Sequence, residues 1–104
     1  MMGEVNESDW KLFRKKLPEW QEAYMGRLVQ EYAAIIAGPD KSSKKFWELE
    51  ERINSYKKHV GVVARVSRSK MYHNLLALLS EGAISIEDLN DFSDDLKDML
   101  KRLY

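Results

Sequence analysis

The chain has 104 residues, no cysteine, and 17 basic side chains balanced by 17 acidic ones. That size fits one domain with one core, and the missing cysteines exclude disulfides, thiolate metal sites and thiol nucleophiles. Apolar residues make up 44% and aromatics 11%, too many for a disordered chain, while no apolar run approaches the roughly 20 residues of a bilayer span. The acidic, polar start (Glu4, Asn6, Glu7, Asp9) does not read as a signal peptide, so the expected product is a soluble cytoplasmic globule.

Residues 1–7 are expected as a disordered tail ahead of a single helical domain over 8–104. Ser8 is placed to cap a short helix from Asp9 to Lys16, with Trp10 and Phe13 on one face. Pro18 disfavours helical geometry at Leu17 and suits a first helical turn, which predicts a break there and a second helix to Ala37, stopped by Gly38 and Pro39. Ser42 or Ser43 then caps a third helix to about Lys58, followed by a break at Gly61. Ser67 caps a fourth, ending at Gly82, and Ser85 with Asp88 in a near capping box opens a last helix that reaches the C-terminus. The fold class is all-α, a compact bundle of four to five helices joined by short loops.

Wheel positions at 100° per residue indicate which faces are covered. Phe46, Leu49, Ile53, Tyr56 and Val60 form a narrow stripe, as on a helix packed on one side, with Trp47 about 100° outside it. Trp47 must then be covered by Trp10 and Phe13 or face a partner. Met71, Tyr72, Leu75, Leu76, Leu78 and Leu79 occupy over half the wheel and predict a central helix. Ile86, Leu89, Phe92, Leu96, Met99, Leu100 and Leu103 oppose a solvated acidic side of Glu87, Asp91, Asp94 and Asp98. Beside the apolar face of the second helix (Trp20, Tyr24, Leu28, Tyr32, Ile35, Ile36), Ala23, Gly26, Gln30, Ala33 and Ala37 form a stripe of small residues. Glycine inside a helix costs about 1 kcal/mol against alanine, so Gly26 implies close packing, most simply against another helix of the same chain. Trp47, Ala23, Gly26 and Ala33 are the candidate interface residues, and a homodimer is slightly favoured.

Charge is segregated along the chain. Residues 1–40 carry 5 basic and 7 acidic groups, residues 41–80 carry 9 and 3, and the remainder carry 3 and 7. The preferred reading sets the acidic last helix against the basic centre, within the chain or across a dimer; the other reading is a basic surface for an anionic partner. Arg65, Ser67, Arg68, Ser69 and Lys70 gather three cations and two hydroxyls at a predicted helix start, a candidate anion site whose simpler reading is a Ser67 cap with its cations paired to the last helix. No cofactor or metal is expected. His59 and His73 have no ligand partner at helical spacing, and Glu81 to Leu89 resembles only the second half of an EF-hand, since Ala77 and Leu79 would occupy oxygen-ligand positions. No nucleophile–base order or phosphate loop is present, so no catalytic residue is assigned and an enzyme is not expected.

Leu17-Pro18-Glu19-Trp20-Gln21 with Tyr24-Met25, Phe46-Trp47-Glu48-Leu49 with Arg52-Ile53, Ser67-Arg68-Ser69, and Asp88-Leu89 with Phe92-Ser93-Asp94-Asp95-Leu96-Lys97 carry a resemblance over most of the chain. The chain resembles a group of small uncharacterised bacterial all-helical proteins, some of which carry the label multidrug transporter. The resemblance implies no reaction, and without a membrane span such a chain forms no transport pathway and at most a soluble accessory. The functional expectation is a helical protein-interaction or regulatory module. Its alternative is a nucleic-acid or phosphate binder using the basic segment 41–70, with Lys41, Lys44, Lys45, Lys57 and Lys58 beside the candidate anion site.

Overall fold

In the computed structural model, residues 5–63 and 67–104 are described, and among them the fold is all-α. Four α-helices, α1 (Glu7–Ala37), α2 (Ser42–Tyr56), α3 (Met71–Ser80) and α4 (Asp94–Leu103), are joined by loops that contain two short 3₁₀ turns, Arg68–Lys70 and Ile86–Leu89.

The first two expected helices are one. α1 runs unbroken for 31 residues through Pro18. Its cap is Asn6 rather than Ser8: the Asn6 Oδ1 accepts the N–H groups of Ser8 at 2.9 Å and Asp9 at 3.3 Å. Proline inside a helix forfeits one hydrogen bond and crowds the carbonyl four residues back, at about 3 kcal/mol. Continuity offsets that cost by keeping Phe13, Leu17, Gln21, Tyr24 and Leu28, spaced by four and three, on one buried face that runs past the exposed proline. Of the expected tail, residues 1–4 lie outside the described residues; Val5 packs against the core and Glu7 pairs with Arg68.

α3 is central, as its wheel implies, with Met71, Tyr72, Leu75, Leu78 and Leu79 buried. It ends in a Schellman motif. Gly82 adopts φ +75°, and the N–H groups of Ala83 and Gly82 return to the carbonyls of Leu78 (2.9 Å) and Leu79 (3.1 Å). The EF-hand-like segment is therefore a helix–turn connection.

The last expected helix is divided. The Ser85 N–H donates to the Asp88 carboxylate at 2.8 Å, but the element it opens ends at Leu89, and Ser93 starts α4 anew. The Ser93 hydroxyl accepts the Leu96 N–H, while its own N–H (2.8 Å) and O–H donate to the buried Asp9 carboxylate of α1. The break allows Leu89, Phe92, Leu96 and Leu100 all to reach one core with Phe13, Leu17 and α3.

That core occupies one end of the molecule. The radius of gyration is 16.4 Å with extents of 52 × 24 × 22 Å, against about 13 Å for a compact chain of this length. α1 alone is about 46 Å long at 1.5 Å per residue. Its N-terminal half belongs to the body with α3 and α4, and its C-terminal half forms an antiparallel arm with α2.

Candidate functional site

α2 has no buried residue. The expected one-sided cover for its apolar stripe is absent: Phe46 is 61% exposed and Ile53 48%, while Leu49 and Tyr56 are half-buried against α1. Trp47, also 61% exposed, meets only Phe46 edge-on at 5.0 Å between ring centroids among its aromatic contacts. Trp10 and Phe13, expected as one possible cover for it, belong instead to a run of ring contacts in the body, Trp10 tilted against Phe13, Phe13 tilted against Trp20, and Trp20 stacked on Phe92. Among the described residues, six of the eight exposed large apolar side chains fall on the arm and its base: Val29, Ile36, Phe46, Trp47, Ile53 and Val63. Contiguous exposed apolar patches of more than a few hundred Å² are uncommon on small soluble proteins.

The patch has a groove. Met25, Leu28, Val29 and Tyr32 of α1 face Ile53 and Tyr56 of α2, with Lys57 and Val62 just beyond its end, across an open, almost wholly apolar space of about 190 Å³. Ile36 and Phe46 each lie seven residues from the groove residues Val29 and Ile53, two turns nearer the tip and on the same faces.

Among the described residues, no helix packs against the stripe of small residues. Ala23, Gly26, Ala33 and Ala37 are exposed, and a Cβ added at Gly26 would meet nothing within 4 Å. The expected intrachain contact is thus corrected: the stripe lies on the back of α1, roughly opposite Leu28, and only Ala33 and Gly26 border the apolar patch.

A polar joint fixes the arm to the body at the turn after α2. The buried Gln21 amide donates to the carbonyls of Val60 and Val63, both at 2.9 Å. From the end of α3, the Glu81 carboxylate accepts the N–H groups of Val60 (3.0 Å) and Gly61 (3.1 Å). Tyr24 meets the His59 Nδ1 through its hydroxyl at 3.0 Å and stacks on the same ring. Burial, reinforced by the negative charge of Glu81, raises the Tyr24 hydroxyl above its ordinary pKa of 10.0. Gly61 sits against the Tyr24 ring so closely that a Cβ there would overlap it. Arg27 clamps the opposite side by donating to the carbonyls of Gly82 (2.9 Å) and Ala83 (3.2 Å).

Of the candidate anion site, Arg65 lies outside the described residues, and Ser67, Arg68, Ser69 and Lys70 are all exposed. The helix start there is a three-residue 3₁₀ turn; Ser67 makes no cap hydrogen bond and instead approaches the Ser69 hydroxyl at 3.4 Å. Within the chain, the expected pairing of the basic centre with the acidic last helix does not form among the described residues. Arg68 pairs with Glu7 of α1, Lys44 with Asp40, Arg52 with Glu48, and the acidic Asp91 with Lys16. Local neighbours one helical turn away neutralise α2 more cheaply than a distant helix can. Lys41, Lys57 and Lys58 are exposed, and Lys45 donates to the Ile36 carbonyl at 2.7 Å. His73 is exposed and His59 is held by Tyr24; among the described residues no three His, Asp or Glu side chains group as metal ligands would.

Sequence reasoning singled out neither Gln21, Asp9 nor Glu81, since a polar residue on a helix is ordinarily solvated. The available signal for Gln21 and Asp9 is position: both sit on the apolar face of α1, spaced by four from Leu17 and Phe13.

Among the described residues no helix is long and apolar enough to cross a membrane. No protein family, no curated protein and no solved structure matches the chain.

Proposed function

We propose that the protein is a cytoplasmic helical interaction module, and that the α1–α2 arm is its working surface. The observation that carries this reading is the partition of apolar side chains. The body buries Phe13, Leu75, Leu78, Leu89 and Leu100 completely, whereas the arm leaves Val29, Ile36, Phe46, Trp47 and Ile53 about half or more in water. Exposed apolar area is unfavourable at about 25 cal/mol per Å², so such a face gains free energy when a partner covers it. Aromatic anchors such as Trp47 and Phe46 supply most of the energy in interfaces of this kind. The nucleic-acid alternative finds less support, because Lys44, Arg52 and Arg68 of the basic segment already face carboxylates.

The test is a photo-reactive benzophenone side chain placed at Phe46, on the arm, and separately at Asp98, on the outer side of α4, with irradiation of cells that express each protein. Covalent protein adducts are expected from the arm position and not from α4. Equal labelling from both positions, or none from the arm, would overturn the reading.

A further inference from the structure

The arm's open face has matched halves. Val29 and Ile36 on α1 repeat after seven residues, and so do Phe46 and Ile53 on α2. The hairpin sets Ile36 level with Phe46 near the tip and Val29 level with Ile53 at the groove, where these two line one space with Met25, Tyr32 and Tyr56. A seven-residue repeat is the spacing at which helices interlock side by side along a shared seam.

We infer that a second copy of this chain covers the face, with the two arms lying in the same direction about a two-fold axis along their length, so that α1 of each copy packs on α2 of the other in a four-helix bundle. The inference rests on the interaction reading above and names its partner. In that pairing Phe46 of one copy meets Ile36 of the other and Ile53 meets Val29, so each of these four exposed residues finds an apolar counterpart at its own level. A two-fold contact must be self-complementary in this way. Ala33, with only a methyl group, borders Val29 and Ile36 and leaves room for the larger flanking Trp47.

Charge and area agree. Lys57 lines the α2 side of the groove at the level of Met25, and Glu22 lies on α1 one turn below Met25. Stacking α2 on α1 of the other copy brings each exposed Lys57 toward a Glu22 at the rim. Val29, Ile36, Phe46, Trp47 and Ile53 leave on the order of 500 Å² uncovered per chain, and the half-buried Met25, Tyr32 and Tyr56 bring the face toward the ~800 Å² per partner of a stable interface.

Light scattering on the full chain across low to high micromolar concentration should give twice the 12.2 kDa chain mass. Ile53→Asp alters a residue 48% exposed in the single chain, so its helical circular dichroism should persist while the dissociation constant rises at least 100-fold. Because the protein has no cysteine, the arrangement can be read directly. Ile36→Cys chains mixed with Phe46→Cys chains should form a covalent pair under mild oxidation, and neither variant should do so alone. A single-chain mass at high micromolar concentration overturns self-pairing, and so does covalent pairing of Phe46→Cys with itself. If the single-chain mass is found while benzophenone at Phe46 still captures a different protein, the interaction reading stands without the dimer; if both fail, both are wrong.

Discussion

The body and the arm are built from similar residues and finish in opposite states. Both contain amphipathic helices with aromatic and branched apolar side chains at helical spacing, and α1 belongs to both. In the body, α1 meets α3, α4 and the connecting turn from several sides, so Phe13, Met71, Leu75, Leu78, Leu89 and Leu100 lose all contact with water. In the arm, α1 meets α2 alone. Two helices enclose a single seam, which covers Leu28 and half-covers Tyr32, Leu49 and Tyr56 and leaves the flanks open. A helix pair cannot bury a wide apolar face by itself; a third or fourth helix has to be supplied.

The most severe test of this comparison truncates one residue in each region. Leu75→Ala removes a side chain with no exposed surface and should cost about 3 kcal/mol of unfolding free energy, through lost transfer energy and the cavity left behind. Ile53→Ala on the arm, measured by urea denaturation at low protein concentration, should cost under ~1 kcal/mol. Comparable losses at the two positions would mean that the arm shares the core's cooperativity and that its exposure has no energetic meaning.

A smaller effect is expected at Asp9, which ties the two ends of the body's chain together. Its carboxylate receives the Ser93 N–H and O–H while itself lying 3% exposed, so Asp9→Ala strands two donors and removes charge-assisted bonds. The expected loss is about 2 kcal/mol. A double-mutant cycle with Ser93→Ala should recover much of that figure as coupling energy, and additive effects would refute the pairing.

The joint comes next. Gly61→Ala forces a methyl group against the Tyr24 ring, and overpacking of this kind costs about 1–3 kcal/mol. Hydrogen exchange should show the increase in opening at the turn after α2 and at the tip-ward part of α1, with α3 and α4 little changed. Uniform loss of protection would show that arm and body open as one unit.

The sequence made the helical class, the Gly38–Lys41 loop, the central place of α3 and the Gly82 stop readable, because periodicity and glycine act within a few residues. It misled at Pro18, where local preference favours a break and long-range packing of Phe13, Leu17 and Gln21 on one face wins. It misled again at Ser93, whose capping role was hidden inside an apparently continuous amphipathic pattern. The arm shows a third limit. The stripe Phe46, Leu49, Ile53 and Tyr56 is correctly amphipathic, but an amphipathic helix announces that it needs a cover and not which chain provides it. In the sequence Trp47 stands out as a candidate contact by its place off the stripe, and Ala33 and Gly26 by their small side chains, whereas Ile36, Phe46 and Ile53 read as parts of covered faces and Val29 falls on none.

The subtlest difference between regions should appear in alkaline solution, where a tyrosine reports from each part: Tyr72 from the body, Tyr24 from the joint and Tyr32 from the arm. Burial raises all three hydroxyls above the ordinary value of 10.0, with Asp9 and Asp95 adding to the effect at Tyr72 and Glu81 at Tyr24. A folded-state pKa above the unfolded one means that the native protein holds these protons more tightly. The associated stability is fully present below the unfolded value and is lost as pH rises through the folded one. Unfolding free energy should therefore fall once pH passes about 10. Tyr24→Phe lowers stability at every pH by removing the hydroxyl that meets His59, yet it also removes one ionising group. Its alkaline limb should be shallower than that of the unaltered protein. An unchanged slope would mean that Tyr24 ionises alike in both states, and that the polar joint is open to water instead of closed against the Glu81 carboxylate.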